Sequence, residues 1–473
     1  MKKLIIVFLI SICFFDTVHL FSKSDASKEI PDLIPYREGD KWGYCNKDKK
    51  IIIDIKYDYV WLFQEGLAMV KLNNKIGFVD KTGSEVIHLK YDGAGDFSEG
   101  LAWIKLNNKY GIIDTKGKEI TPIKYDYILD YRDGLTRFYL NNKSGCLNKK
   151  GEVIIQPVYD GVSKFSEGLA MVDLKRKYGY IDVNGNEVIP IKFNLADDFK
   201  DGLAWVKLNK KFGFIDKNGK EVIPLKYDNL AGKFHEGLVW VNIGGKPDNF
   251  GSISGGIYGY ADKNGVEVVP VKYDYAYDFK EGLAGVYKEN KFGFINTDGI
   301  EVIPLKYEYG ASFSEGLAQV NVGGKENEDG YITGGKIGFI DKNGKEVIPI
   351  IYDGAGDFHE ELAMVNIGGM QNKNGMIAAG KWGFIDKNGK EVIPMIYDDV
   401  NEFSEGLAAV NIGGKTGEYD NIGGKWGYID KTGKKITPFK YDYAGEFENG
   451  IAKIMIDNKY GYIDKNGTEY WED

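Results

Sequence analysis

The sequence predicts an all-β protein made of tandem repeats, and three observations carry that expectation. One phrase returns along the chain, as KFGFID from Lys211, KIGFID from Lys336 and KWGFID from Lys381. Each return brings β-branched runs, several glycines and often a proline, a composition suited to strands and tight turns. Apolar residues do not recur at helical spacing, which excludes the helical repeats that share a period of 34 residues.

The glycine of the phrase serves as a ruler. It stands at Gly43, Gly77, Gly111, Gly145, Gly179, Gly213, Gly259, Gly293, Gly338, Gly383, Gly427 and Gly461. Most steps are 34 residues, and four run from 44 to 46. About twelve copies, the last one truncated, therefore fill the chain from residue 41 to 473. A unit this short cannot bury an adequate core alone, so neighbours must supply the rest. The expected architecture is an open superhelical, solenoid-like array of three-stranded antiparallel meanders, with a β-propeller-like arrangement as the alternative.

Residues 203–227 illustrate one copy. LAWVKLN forms a first strand, Lys210 and Lys211 a short turn, and FGFID a second strand. Asp216-Lys217-Asn218-Gly219 is hairpin chemistry, because Asp accepts from nearby amides while Asn and Gly tolerate left-handed backbone. KEVIPLKY is the third strand, and about ten connector residues follow. In the second strand the aromatics flanking the glycine share one face, as Trp382 and Phe384 or Tyr178 and Tyr180 do. A strand glycine costs roughly 0.5–1 kcal/mol, so its recurrence implies close approach by another group. The expected intruder is an aromatic ring from the neighbouring copy. The connector repeats F-x-E-G-L-A, as at Phe63, Phe97, Phe165, Phe313 and Phe403. Its Phe is expected to plug the space between copies and its Gly to close a turn. Tyr131 replaces the Phe in the third copy, and Glu361 replaces the Gly in the ninth.

The K-W-G-[FY]-I-D-x-x-G phrase with F-x-E-G-L-A resembles the bacterial WG (KWG) repeat family over residues 41–467. Ile76, Tyr110, Ser144 and Phe212 stand in place of the Trp. The resemblance implies an all-β repeat protein and supplies no catalytic residues.

Residues 1–24 read as a secretory signal peptide: Lys2 and Lys3 precede an apolar run from Leu4 to Phe15, too short for a transmembrane helix. Residues 25–40 read as a linker. The protein is expected to be exported, whether secreted, periplasmic or on the cell surface. Cys13 offers a lipoprotein alternative, against which Ile12 stands as a poor neighbour for lipid attachment. Cys45 and Cys146 lie in distant copies and out of phase, so no disulfide is expected between them. The formal charge of −9, with Lys and Asp/Glu interleaved and no basic block, argues against a nucleic-acid partner.

No reactive constellation emerges, and the chain is expected to be non-enzymatic, with no cofactor and no metal. D-K-N-G-K-E reads as a hairpin rather than a calcium loop, which needs more ligands. GAGDF at Gly93 and Gly354 lacks the helix of a phosphate loop. His88, His235 and His359 occur singly, the last two in a variable slot expected to face solvent. GSISGG places Ile253 where a nucleophile elbow has serine. The recurring Glu65, Glu99, Glu167 and Glu315 read as a turn or inter-repeat device rather than a glycosidase pair.

Two features stand out as binding candidates. Extended hairpins at 242–256, 321–335, 366–380 and 411–424 each begin N-[IV]-G-G and recur at one position of the repeat. Gly368, Gly369, Gly413 and Gly414 mark two of them. A stripe of aromatics, including Trp42, Tyr110, Tyr178, Trp382, Trp426 and Tyr460, serves either as core or as a sugar platform. The expected function is a scaffold for protein–protein interaction, with a cell-wall or glycan-binding module as the alternative.

Overall fold

The computed structural model describes residues 31–247, 253–327, 332–371, 377–416 and 421–472. The expected signal peptide and the four hairpin tips lie outside the described residues. Every regular element among the described residues is a strand, as the repeat pattern requires.

The chain divides into two compact units, one of residues 31–227 with the C-terminal residues from 470, the other of residues 228–469. Sheets follow one another along the chain and are called blades here. Blades 1–6 of the first unit span 34–57, 59–91, 93–125, 127–159, 161–193 and 195–227. Blades 7–12 of the second span 229–273, 275–307, 309–352, 354–397, 399–430 and 443–464.

A typical blade is a four-stranded antiparallel meander rather than the expected three. Blade 5 consists of Gly161–Val162, Leu169–Leu174, Lys177–Asp182 and Glu187–Phe193 in that order. The added first strand is two residues long, too short to leave an alternating pattern in the sequence. Four-stranded meanders are the sheets from which propellers are built, in keeping with the propeller-like alternative. In blades 11 and 12 the fourth strand is reduced to isolated bridges such as Trp426–Tyr441 and Ile463–Glu469.

Blade 1 also departs from expectation. The supposed linker contributes a strand, Ile34–Glu38, and Trp471–Glu472 pairs with it in parallel. Arg37 is buried with its guanidinium 5.0 Å from the Trp471 ring centroid, and Glu472 accepts from the Gly39 amide at 3.0 Å. Pairs this remote in sequence leave no periodic signal.

Local chemistry explains the turns. The second and third strands join through two residues in left-handed backbone, such as Asn73 (φ 51°) and Asn74 (φ 60°), which matches strand twist. In blade 6 these are Asn209 and Lys210, one position before the expected turn. The next turn is the predicted hairpin: Asp216 Oδ1 accepts from the amides of Asn218 and Lys220, both at 2.9 Å.

The phrase glycine answers to a different intruder from the one expected. Phe212 pairs with Tyr227 and Phe214 with Ile223, so Gly213 alone faces the bulge Pro224-Leu225-Lys226. A Cβ at Gly383 would stand 2.5 Å from the carbonyl oxygen of Ile393, and one at Gly338 would stand 2.6 Å from that of Ile348. The crowding group is backbone of the same sheet, not a neighbour's ring. The bulge also accommodates the proline without loss of a ladder bond, and it blunts the free edge of the sheet.

Rings do join the blades, but through the second aromatic of the phrase. Tyr180 meets Phe199 of the next blade at 4.8 Å between centroids, edge to face, and Phe339–Phe358 and Phe384–Phe403 repeat the contact at 5.0 and 4.9 Å. Where the aromatic is tyrosine its hydroxyl donates to a connector carbonyl, as Tyr180 does to Asp197 at 2.7 Å. Each pair contributes about 0.5–1.5 kcal/mol beyond the apolar area it buries. The connector Phe thus plugs the gap as predicted.

Carboxylates reinforce the same seams. Glu167 accepts from the Gly202 amide of the next connector at 3.0 Å and pairs with Lys217 of the next hairpin turn at 3.0 Å. Glu99 with Gly134 and Lys149, and Glu360 with Gly406 and Lys431, repeat the clamp. A second set runs from the lysine of the phrase: Lys41 reaches Asp58 of the next blade at 2.5 Å, and Asp58 also accepts from Asn73. The glutamate ladder is therefore an inter-repeat device. Cys45 and Cys146 are buried and unlinked, as expected.

Two outcomes follow. Gly383→Ala should cost about 2 kcal/mol by forcing the bulge apart, read as a lower urea midpoint. The Lys217 hydrogen bond holds Glu167 below its ordinary 4.5, and the Lys41 hydrogen bond holds Asp58 below its ordinary 3.8. The folded chain therefore binds fewer protons than the unfolded chain in acid. This stabilisation is complete above about pH 4.5 and is lost as pH falls below the ordinary carboxylate values. Thermal midpoints measured from pH 6 down to about pH 3 should fall most steeply at the acid end.

Candidate binding surface

The four extended hairpins all belong to the unit of residues 228–469, in blades 7, 9, 10 and 11. Three of these blades are consecutive. In the short copies the position before the two-residue turn's leucine is a lysine, as in Lys71 and Lys105, or another residue such as Tyr139 or Asp173, never asparagine. In the extended copies it is always a buried asparagine: Asn242, Asn321, Asn366 or Asn411.

That asparagine holds the two legs of the extension together. Asn242 Nδ2 donates to the Gly255 carbonyl at 3.0 Å, while its Oδ1 accepts from the Gly245 amide at 3.1 Å. Asn321 makes the same pair of bonds with Gly334 and Gly324, both at 3.1 Å. Asn366 and Asn411 donate to Ala379 and Gly423, both at 3.3 Å. The N-[IV]-G-G motif alone does not reveal this role. Its signal was available, since the asparagine appears only where the hairpin is long.

The glycines singled out beforehand are parts of this joint. Gly368 and Gly413 have φ of 80° and 86°, and their amides donate to Asp353 and Asp398, each at 2.8 Å. Gly369 and Gly414 lie against the clamping asparagines, leaving no room for a side chain. These four glycines shape the base of the ribbon, where Gly368 and Gly413 are exposed. Beyond the joint each ribbon continues, as in Met370–Gln371 paired with Ile377–Ala378. The Gly334 amide of one ribbon donates to Gln371 Oε1 of the next at 2.7 Å, so adjacent ribbons touch as their shared position predicts.

Trp382 and Trp426 sit directly across the strand pair from Asn366 and Asn411. Both are half-buried, and Trp382 packs on the cluster of Leu362, Phe384, Ile393 and Tyr397. Trp42 is buried, Tyr110 and Tyr178 are half-buried, and Tyr460 is 43% exposed. The aromatic stripe is thus largely packing with exposed edges.

At the foot of the ribbons stand exposed aliphatic side chains, with exposed Lys246, Lys325, Glu326 and Lys415 farther along. Val322, Ile367 and Ile412 occupy one register position in three consecutive blades and are 45%, 46% and 39% exposed. Met370, at the foot of a ribbon, is 72% exposed. Their cross-strand partners are Lys336, Lys381 and Lys425, whose ammonium groups are drawn to Asp353, Asp398 and Asp442 at 2.6, 2.6 and 2.5 Å. The lysine charge is thereby partly neutralised beside the apolar row. A surface of this composition suits a desolvating contact better than a charged ligand.

The remaining candidates resolve locally. The variable slot of His359 is not merely solvated: its Nδ1 lies 2.9 Å from the Phe403 carbonyl, as Ser166 and Ser404 bond Phe199 and Phe447. Among the described residues no group of three or more His, Cys, Asp or Glu is placed to hold a metal. Among them, too, no helix is long and apolar enough to cross a membrane.

Removing the clamp should loosen a ribbon without unfolding its blade. In Asn366→Ala, amide exchange around residues 367–369 and 379–381 should quicken about tenfold, while exchange in blade 5 stays unchanged.

Comparison with solved structures returns loosely superposing chains. A crystal structure of a eukaryotic initiation factor shares 12% identity over 86% of this chain and 95% of its own, with a TM-score of 0.36. An extracellular domain from B. thetaiotaomicron, described as part of a hybrid two component system, shares 10% identity over 93% and 70%, with a TM-score of 0.22. PorZ, a bacterial surface component of the type-IX secretion system of Porphyromonas gingivalis, shares 13% over 80% and 58%, with a TM-score of 0.23. Superpositions this loose carry no functional argument. A search of curated proteins returned no significant match. The model of the WG containing repeat, in contrast, matches at 42–75, 76–110, 110–143, 145–178, 178–212, 212–246, 258–292, 292–325, 337–370, 382–415 and 426–460. With its phrase, its register and its blades all repeating together, the chain belongs to the WG containing repeat family.

Proposed function

We propose that this protein is an exported, non-enzymatic scaffold that holds a protein partner along the extended hairpins of blades 9–11. The observation behind this reading is the row Val322, Ile367 and Ile412, exposed at one register position, with Met370 beside it. Repetition of a modest apolar contact along neighbouring blades produces avidity that one blade lacks. Asparagine clamps and glycine joints preorganise the ribbons, which lowers the entropy lost on binding. The N-terminal sequence, with its charged start and short apolar run, supports export.

The glycan reading rests on the exposed edges of Trp382, Trp426 and Tyr460. One experiment separates the two. Full-length protein is immobilised and offered envelope proteins and purified cell-wall polysaccharide. Parallel columns carry Ile367→Asp with Met370→Asp, a chain with residues 366–380 trimmed to a short turn, and Trp382→Ala. The scaffold reading expects a defined protein to be retained by the parent and reduced at least tenfold by the first two variants. Retention of polysaccharide alone, lost only in Trp382→Ala, would replace it with the glycan module.

A further inference from the structure

Two copies lack the second aromatic, with Ile112 in blade 3 and Cys146 in blade 4, and beside the smaller substitute, Cys146, a cavity is left. In blade 4 the phrase reads KSGCLN, so Ser144 and Cys146 replace both aromatics. Phe138 stands where other copies have Val70, Ile104 or Val172, and it recovers part of the lost volume against Gly145 and Tyr125. It does not reach the seam with blade 5. There a cavity of about 180 Å³ remains, lined by Cys146 and by Phe165, the connector ring that would have met the missing aromatic. Phe165 is half-buried, as Phe63 and Phe234 are, whereas Phe97, Phe199 and Phe313 are fully buried.

The same cavity gains a cation. Arg137 lines it, at the position held elsewhere by Met69, Trp103, Met171 and Trp205. Its Nη1 donates to the Val162 carbonyl at 3.2 Å, and among the described residues it has no carboxylate at ion-pair distance. Asp130, Arg132, Asp133 and Lys164 also line the cavity; Asp130 accepts from Trp103 Nε1 at 2.9 Å, and Lys164 lies 4.0 Å from Asp198.

We propose that this cavity binds a small single-ring aromatic carboxylate. The ring would stand edge to face with Phe165, where every complete copy places its own ring, and the carboxylate would meet the guanidinium of Arg137. The volume is sufficient, since an apolar cavity of about 150 Å³ admits benzene. Arginine presents paired donors that match a carboxylate. Burial pushes the Cys146 thiol up to about 12, so it forms a neutral wall rather than a nucleophile. This site lies in the unit of residues 31–227 and is independent of the hairpin surface.

The full chain is titrated by calorimetry with benzoate, phenylacetate, phenol and acetate. Benzoate or phenylacetate should saturate one site, and acetate should not compete. Cys146→Phe, which supplies the missing ring, should raise the melting temperature and weaken the aromatic acid about tenfold or more. If that variant fails to fold, Cys146→Ile, the residue type at Ile112, serves the same purpose. Arg137→Met should weaken benzoate about tenfold while leaving phenol unchanged. Absence of saturable binding by either aromatic acid, or binding indifferent to a filled cavity, would overturn the assignment. Acetate binding as tightly as benzoate would also overturn it.

Discussion

The structure depends on one contact between successive repeats: the second aromatic of the phrase set edge to face against the connector phenylalanine of the next blade. Tyr180–Phe199 and Phe384–Phe403 are nearly superimposable versions, at 4.8 and 4.9 Å. Neither ring could be buried within its own copy, because the connector lies on the far side of the seam. A blade is thus completed only by its neighbour, and stability grows with the number of seams rather than with any single core. The glutamate and aspartate clamps lie around these rings and fix their register. They contribute mainly specificity, since exposed ion pairs add little stability.

The strand glycine is the second constraint, and it acts within the blade. A bulge of three residues must lie opposite one, and only a residue without a side chain lets the carbonyl of Ile393 approach Gly383. The bulge in turn gives proline a place in the fourth strand and removes the flat edge on which sheets aggregate. Glycine, bulge and proline form one device, which explains why they travel together through the repeat.

The two sites arise from departures from this regular plan. Asparagine in place of lysine before a turn accompanies the longer hairpin, and the aliphatic residues at its foot, Val322, Ile367 and Ile412, are more exposed than Leu72 and Leu106 at the same register position of short copies. Substituting cysteine and serine for two aromatics opens a cavity beside Phe165. In a repeat whose ordinary positions are committed to packing, exceptions are where function has room. The regular aromatics, by contrast, are mostly occupied by one another.

By itself the sequence determined the β character, the number and period of the copies, the Asp-x-Asn-Gly hairpin turn and the inter-repeat role of the connector Phe and Glu, and it placed the shorter turn one residue late. These are local or periodic properties, and repetition printed them many times. Tertiary structure alone decided the rest. A two-residue first strand is too short to show a pattern, so three strands were expected where four pair. The partner of the strand glycine was misassigned because a bulge is a register fact, visible only once both strands are placed. Pairing of Ile34–Glu38 with Trp471–Glu472 joins residues from opposite ends of the chain, which no window of sequence contains. The N-[IV]-G-G hairpins were found, but the asparagine clamp at their base and the exposure of the aliphatic row beside it were not. Which side of a ribbon meets water depends on how its base is clamped, and that is settled by packing rather than by composition.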